Sequence, residues 1–364
     1  MKLNKIGIIT INDENNYGNR LQNYAVHSVI SSLGYTCETI AHQSVLPQGY
    51  KLKLLLKKLG CTIVPVLMQR KRPEILREFN FKNFTKRYIA TKYYYNDSLQ
   101  LSSDIIEKYD YFVVGSDQVW NPTFGNYNKI IDDMFLKFAK PKQKVCFAPS
   151  FGIDEIPSEW QSVFKENLST FNNISVREYS GAKIVKELTG KEAEVLIDPT
   201  MMINKDEWLI ISKPSKANTS KPYMLQYFLG NQNEIYKEQL EEISTRNNLS
   251  IYKLLDLSMP ELYVAAPDEF IDLISKAALI CTDSFHAVIF SILFCKPFIV
   301  FKRNDENVDM SSRIDNLLSM LKLEYRKCGN IENEDIFDKD YSHVPIILLE
   351  ERNKSLNYLK EILK

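Results

Sequence analysis

Residues 280–301 read Ile280-Cys-Thr-Asp-Ser-Phe-His286-Ala-Val-Ile-Phe-Ser-Ile-Leu-Phe-Cys-Lys-Pro-Phe-Ile-Val-Phe301. Residues 278–281 carry the short apolar run of a buried strand, 284–294 the longer apolar run of a buried helix, and 297–301 that of the next strand. Strand, helix and strand joined this closely form the repeating unit of an α/β fold. The pattern predicts His286 in the first turn of the helix. Free backbone N–H groups and the positive end of the helix dipole attract anions there, so a histidine at that place can meet a phosphate or a carboxylate. The same residues also fit a plainer arrangement, with Asp283 or Ser284 as an N-cap and His286 as a packed ring.

The alternation extends along the chain in both directions. Strand patterns at 5–11, 35–40, 109–116, 144–148 and 174–177 are interleaved with helical patterns at 20–33, 102–108, 158–169 and 180–188. A polar stretch at 213–222, with proline near each end, precedes a second alternating set: strand 223–229, helix 234–246, strand 250–255, helix 268–275 and the His286 unit. The expected architecture is α/β, with two Rossmann-like domains facing a cleft. Residues 1–195 would form the first domain, with a basic insertion at 51–92. Residues 196–345 would form the second. Residues 346–364 read as a terminal helix able to return to the first domain.

Composition narrows the class. With 364 residues, 45% hydrophobic and 25% charged, the chain can bury two cores. It has no uncharged apolar run of about 18 residues, which argues against a membrane span. Its N-terminal apolar run is too short for a signal peptide, so a cytoplasmic protein is expected. Six cysteines, at 37, 61, 146, 281, 295 and 328, are scattered without a CxxC pair and read as reduced thiols, with no metal site expected. Lysine plus arginine and aspartate plus glutamate balance at 46 each, yet residues 51–92 hold twelve basic residues against Glu74 and Glu78. Lys51-Leu-Lys-Leu-Leu-Leu-Lys-Lys-Leu-Gly60 suits a basic amphipathic helix on the inner membrane surface, a peripheral contact. A solvated surface helix fits equally well. No nucleic-acid-binding motif accompanies the charge, so nucleic acid is not an expected partner.

In doubly wound sheets ligands bind beyond the carboxyl ends of the strands. Four polar clusters occupy such places. Asn12-Asp-Glu-Asn-Asn-Tyr-Gly-Asn-Arg-Leu-Gln-Asn-Tyr24 follows the first strand, where Gly18 would permit a tight backbone. It lacks GxGxxG, so a usual dinucleotide site is not expected. Gly115-Ser-Asp-Gln-Val-Trp-Asn-Pro122 sets polar groups around a tryptophan, as a sugar site does, although a turn anchored by a buried tryptophan has the same look. Ser175-Val-Arg177-Glu178 places an arginine fork at a strand tip, suited to phosphate or carboxylate or to pairing with Glu178 or Asp198. The His286 turn is the fourth, with Arg303 and Arg313 following it in the same half.

Asn16-Tyr-Gly18 ahead of Leu21-Gln-Asn-Tyr-Ala25, Gly115-Ser-Asp-Gln-Val-Trp-Asn-Pro122, Val176-Arg-Glu178, Asp198-Pro-Thr200 and Asp283-Ser-Phe-His-Ala287 together resemble the polysaccharide pyruvyl transferase family, in order and spacing, from about residue 6 to about 322. The resemblance implies a GT-B-like fold and transfer of a pyruvyl group from phosphoenolpyruvate to a sugar, commonly as a cyclic ketal. It implies no metal or other cofactor, and a lipid-linked precursor of a cell-surface glycan as acceptor. His286 matches the histidine of the family's Arg-Leu-His pattern and is the expected catalytic acid or base. Arg177 matches an arginine that binds the donor. Ser284 stands where some members carry the arginine of that pattern, so Arg313 is the expected substitute on the donor, with Ser284 offering a hydroxyl and an N–H. Asn16, Tyr17, Asp117, Gln118, Trp120 and Asn121 are the expected acceptor-binding residues. A nucleotide-sugar GT-B glycosyltransferase and a catalytically silent glycan-binding relative remain the alternatives.

Overall fold

In a computed structural model, residues 4–41, 72–94, 101, 103–124, 127–217, 219–304, 312–331, 335–338 and 340–364 are described. The amphipathic helix expected over 51–60 lies outside them. The first sheet contains β1 (Lys5–Ile9), β2 (Thr36–Ala41), β3 (Thr91–Tyr93), β4 (Tyr111–Val114) and β5 (Lys144–Cys146) in the order β3-β2-β1-β4-β5, all parallel. Its helices include α1 (Tyr17–Ser32) and α2 (Pro73–Tyr88), and then α3 (Ser158–Ser169) and α4 (Tyr179–Thr189). A two-stranded pair, β6 (Ser175–Val176) with β7 (Glu194–Val195), extends this half and leads to a helical turn at Pro199–Met202.

The second half begins with α5 (Lys205–Ile211). Its sheet is built from β8 (Tyr223–Tyr227), β9 (Ser250–Lys253), β10 (Leu279–Thr282) and β11 (Phe298–Val300), parallel in the order β11-β10-β8-β9. The helices α6 (Glu234–Arg246), α7 (Pro267–Lys276), α8 (Phe285–Leu293) and α9 (Ser312–Met320) belong to it. Every residue of α8 is buried, which is why its sequence is apolar all round instead of striped. The last helix, α10 (Val344–Ile362), crosses back to the first sheet, where Leu359 and Leu363 join Ile6, Ile8 and Val26 in one cluster. No helix among the described residues is long and apolar enough to cross a membrane.

Each sheet has one place where the strand order reverses, between β1 and β4 in the first and between β8 and β10 in the second. Loops leaving such neighbours in opposite directions open a crevice. The crevices are brought together by a continuous aromatic contact. Tyr17 of α1 stacks on Phe270 of α7 with centroids 4.5 Å apart and meets Tyr227 of β8 edge-on at 5.5 Å. Its hydroxyl donates to the Ala265 carbonyl at 3.0 Å. Arg77 of α2 donates to the Tyr17 hydroxyl (2.8 Å), the Tyr263 carbonyl (2.7 Å) and the Asn15 carbonyl (2.8 Å). Arg77, one of the basic residues of 51–92, is thus buried in the contact between halves.

Candidate functional site

The site grows from the turns that leave the two switch points. After β1, Asn16 caps α1 by accepting from the Asn19 N–H at 3.1 Å, and Asn19 in turn donates to Asp117 Oδ2 at 2.7 Å. Arg20, fully inside, donates from Nε to Asn19 Oδ1 at 3.2 Å and from Nη2 to Asn12 Oδ1 at 3.1 Å, holding this loop in place. After β4, Asp117 adopts φ +66°, a left-handed conformation that aspartate tolerates better than most residues. Gln22 ties the two loops together, accepting from the Ser116 N–H at 3.1 Å and donating to Thr10 Oγ1 at 3.0 Å.

On the opposite wall, Asp283 follows β10 and accepts from the N–H groups of Leu229 (2.7 Å) and Gly230 (2.8 Å), which follow β8. Arg303 lies 3.4 Å from Asp283 Oδ2 and donates to its carbonyl at 3.2 Å. Ser284 occupies the N-cap of α8 without a side-chain cap bond, and its N–H donates to Thr282 Oγ1 at 3.0 Å. His286 therefore stands in the first turn of α8, at the mouth of a cleft of about 420 Å³. Asn16, Asn19, Asp117 and Gln118 line this cleft from the first half; Ser284, His286, Arg303 and Arg313 line it from the second.

Behind His286 lies a buried ionic network. Arg177 Nη1 donates to Asp198 Oδ2 at 2.6 Å, Ser116 Oγ donates to the same oxygen at 3.0 Å, and His286 Nε2 is 3.7 Å from it. Asp198 Oδ1 accepts from the Thr200 N–H and hydroxyl at 2.9 and 2.6 Å. Burial alone would raise the Asp198 pKa, but His286, Arg177 and Thr200 outweigh it and hold the carboxyl far below its ordinary range. Asp117 follows the same logic: burial raises it, while His286, Arg177, the Asn19 hydrogen bond and Arg313 bring it below the ordinary aspartate value. Arg313 is pulled down to about 9 by burial and by repulsion from Arg177, against the attraction of Asp117 and Glu178. Its guanidinium sits 3.2 to 3.3 Å from the Gln118 amide, which is also 2.9 Å from Asn121 Nδ2.

The structure places the candidate residues in two groups. His286, Ser284, Arg313, Asn16, Asp117 and Gln118 meet at the cleft. Four others do not reach it. Arg177 is paired with Asp198, its guanidinium lies over the Phe285 ring at 4.4 Å, and it does not line the cleft. Tyr17 is consumed by the contact between halves. Trp120 is fully buried, stacked on Phe135 at 5.5 Å with Nε1 donating to the Met134 carbonyl at 3.0 Å, so it anchors its loop and cannot stack a sugar. Asn121 is also fully buried and braces Gln118 and Thr123. Gly18 needs a correction of reason. It sits in ordinary helical backbone, and a Cβ there would fall 2.1 Å from His286 Nδ1, so it is glycine to admit the ring.

Asn19, Asp198 and Arg303 also enter the site; the sequence names them as part of a helix start, as an alternative partner of Arg177 and as a cation after the His286 turn, without counting them among the expected site residues. Their signal lay in position, each within or just beyond a strand-end turn. Among the described residues, no group of three histidine, cysteine, aspartate or glutamate side chains is arranged to hold a metal ion.

Solved structures similar to this chain include the UDP-GlcNAc 2-epimerase from Neisseria meningitidis bound to UDP-GlcNAc, at 12% identity and a TM-score of 0.50, covering 100% of this chain and 99% of that one. A glycosyltransferase from Rickettsia africae matches at 12% identity and a TM-score of 0.49, covering 99% of both chains. The UDP-GlcNAc 2-epimerase from Methanocaldococcus jannaschii in complex with UDP-GlcNAc and UDP matches at 15% and 0.44, again over 99% of both. At such identities the likeness concerns the fold, which is α/β of the GT-B type. No curated protein matches the sequence. The sequence profile of the polysaccharide pyruvyl transferase family matches residues 16–305, across both switch-point crevices and the His286 turn. The chain therefore belongs to the polysaccharide pyruvyl transferase family.

Proposed function

We propose that the protein transfers a pyruvyl group from phosphoenolpyruvate to a sugar of a cell-surface polysaccharide or its lipid-linked precursor, forming a pyruvate ketal. The observation that carries this reading is the cleft wall on which the start of α8, His286, Arg303 and Arg313 converge opposite Asp117. Phosphoenolpyruvate bears a phosphate and a carboxylate on one small carbon frame. Two guanidinium groups and a helix start match those charges and orient the donor.

The chemistry needs an acid and a base. His286 delivers a proton to the methylene carbon of phosphoenolpyruvate, turning it into a methyl group and leaving an oxocarbenium-like centre at C2. A sugar hydroxyl adds to C2, and its proton passes through Asp117 or water to the phosphate oxygen. The C2–O bond to phosphate then breaks, with Arg313 and Arg303 stabilising the departing anion. A second hydroxyl adds to the same carbon and closes the ketal, and its proton restores the acid. In sum one proton moves to carbon and one leaves on phosphate. Asn16, Asp117 and Gln118, on the first half's wall of the cleft, are the residues that meet the acceptor in this reading.

Calorimetric titration of the protein with phosphoenolpyruvate, UDP and CMP in parallel tests this reading. Phosphoenolpyruvate binding without nucleotide binding is expected. Nucleotide binding alone would replace the reading with a nucleotide-sugar glycosyltransferase, and binding of none of the three would remove phosphoenolpyruvate as the donor.

A further inference from the structure

The two ring nitrogens of His286 have different surroundings. Nε2 is buried, makes no hydrogen bond, and faces Asp198 Oδ2 at 3.7 Å. The Nδ1 edge of the ring rests on Gly18, where an added Cβ would come within 2.1 Å of Nδ1 and 2.4 Å of Cγ. Asp198 belongs to the connector after β7, Gly18 to α1, and Ser116, which also binds Asp198, to the tip of β4. The ring is carried by one half of the molecule and seated by the other.

We infer that Asp198 and Gly18 are positioning residues for His286, with the Asp198 carboxylate selecting Nε2 as the nitrogen that holds the ring proton and Nδ1 left as the nitrogen that exchanges protons with substrate. An ionised carboxylate only accepts hydrogen bonds, so the nitrogen that faces it must be a donor. Arg177 and Thr200 keep the Asp198 charge in place. The other charged groups around the ring are Asp117 from the β4 loop, Arg177 beside Asp198, and Arg303 and Arg313 across the cleft wall. At 3.7 Å the Nε2 contact is longer than a hydrogen bond, as contacts of catalytic groups often are before a substrate binds. Gly18 contributes by absence: any side chain there would displace the ring from both Asp198 and the cleft. The catalytic meaning of this arrangement rests on the pyruvyl transfer reading, whereas the tautomer itself does not.

The test is long-range 1H–15N correlation spectroscopy on protein labelled at histidine, at about pH 8, with His286→Asn used to assign the signals. The wild-type ring is expected as a single Nε2–H tautomer. In Asp198→Asn the side-chain amide can donate to Nε2, and the population should move to Nδ1–H; in Gly18→Ala the displaced ring should show a mixture. An Nδ1–H tautomer in the wild type overturns the proposal, and so does an unchanged Nε2–H tautomer in a folded Asp198→Asn protein. If Asp198→Asn does not fold, Gly18→Ala decides: an unmoved ring signal overturns the proposal. Added phosphoenolpyruvate should perturb Nδ1 more than Nε2. A correct tautomer that phosphoenolpyruvate leaves untouched upholds the positioning roles and counts against the donor instead.

Discussion

His27 and His286 are almost equally hidden from solvent, at 7% and 6% exposure, yet their surroundings are opposite. His27, midway along α1, has Thr39 Oγ1 2.8 Å from Nε2 and Cys37 Sγ 3.4 Å from Nδ1. The Thr39 hydroxyl donates onward to Asn23 Oδ1 at 2.8 Å, so it accepts from Nε2–H, and the thiol faces the bare nitrogen. Both nitrogens are satisfied by neutral groups, and burial brings the pKa down to about 4, with Glu38 pulling weakly the other way. His286 stands at a helix start, faces a carboxylate with an unbonded nitrogen, and borders a cleft. Burial alone therefore does not distinguish these two histidines. The distinction lies in whether the ring's hydrogen bonds are already made.

The largest expected effect concerns turnover. His286→Asn should lower the rate of phosphate release from phosphoenolpyruvate and acceptor by about 10²–10⁴-fold, while its melting temperature stays close to wild type because no internal hydrogen bond is lost. Near-normal turnover would place the acid elsewhere. His27→Asn should do the reverse and damage stability while sparing the chemistry.

Next in size is the network behind the site. Arg177→Ala leaves Asp198 and Glu178 buried without their cation and should cost about 3–5 kcal/mol in urea unfolding. A loss well under 1 kcal/mol would mean that Arg177 is held for the donor and not for the fold.

The His27 environment predicts a pH dependence. Its folded pKa lies below the unfolded value of about 6.5, so between pH 6.5 and about 4 the unfolded chain binds the extra proton. Stability from this residue is complete above pH 6.5 and falls by about 3 kcal/mol as the pH drops to about 4. The difference between wild type and His27→Gln across this range isolates the term, and parallel curves would refute it. Smallest is the donor-side cation: Arg313→Ala should weaken phosphoenolpyruvate binding about tenfold, equivalent to about 1.4 kcal/mol, measured by calorimetry. Unchanged affinity would leave Arg303 and the α8 start as the anion site.

Much of the fold was legible because it depends on local pattern. Apolar runs of strand and helix length alternate along the chain, and the parallel sheets follow from that alternation. The Asp283 to Ala287 turn was legible for the same reason: a polar cluster between a strand run and a helix run has few other places to go. The roles of Tyr17, Trp120 and Asn121 were not. Each lies in or at the end of a polar strand-end loop, as ligand-binding residues do, yet each points inward. Sequence locates the loop, and only packing decides which of its side chains turn into the core.

By itself the sequence determined the α/β class, the family, and the placement of a histidine at a helix start, because periodicity and short-range spacing are written along the chain. Tertiary structure alone decided that Arg177 serves Asp198 instead of the cleft, that Tyr17 joins the halves, and that Gly18 makes room for His286. Each of these pairs residues 21 to 268 positions apart, a separation at which no local pattern reports contact. Whether a polar side chain is satisfied, orphaned or displaced depends on neighbours that arrive only when the two sheets close on one another.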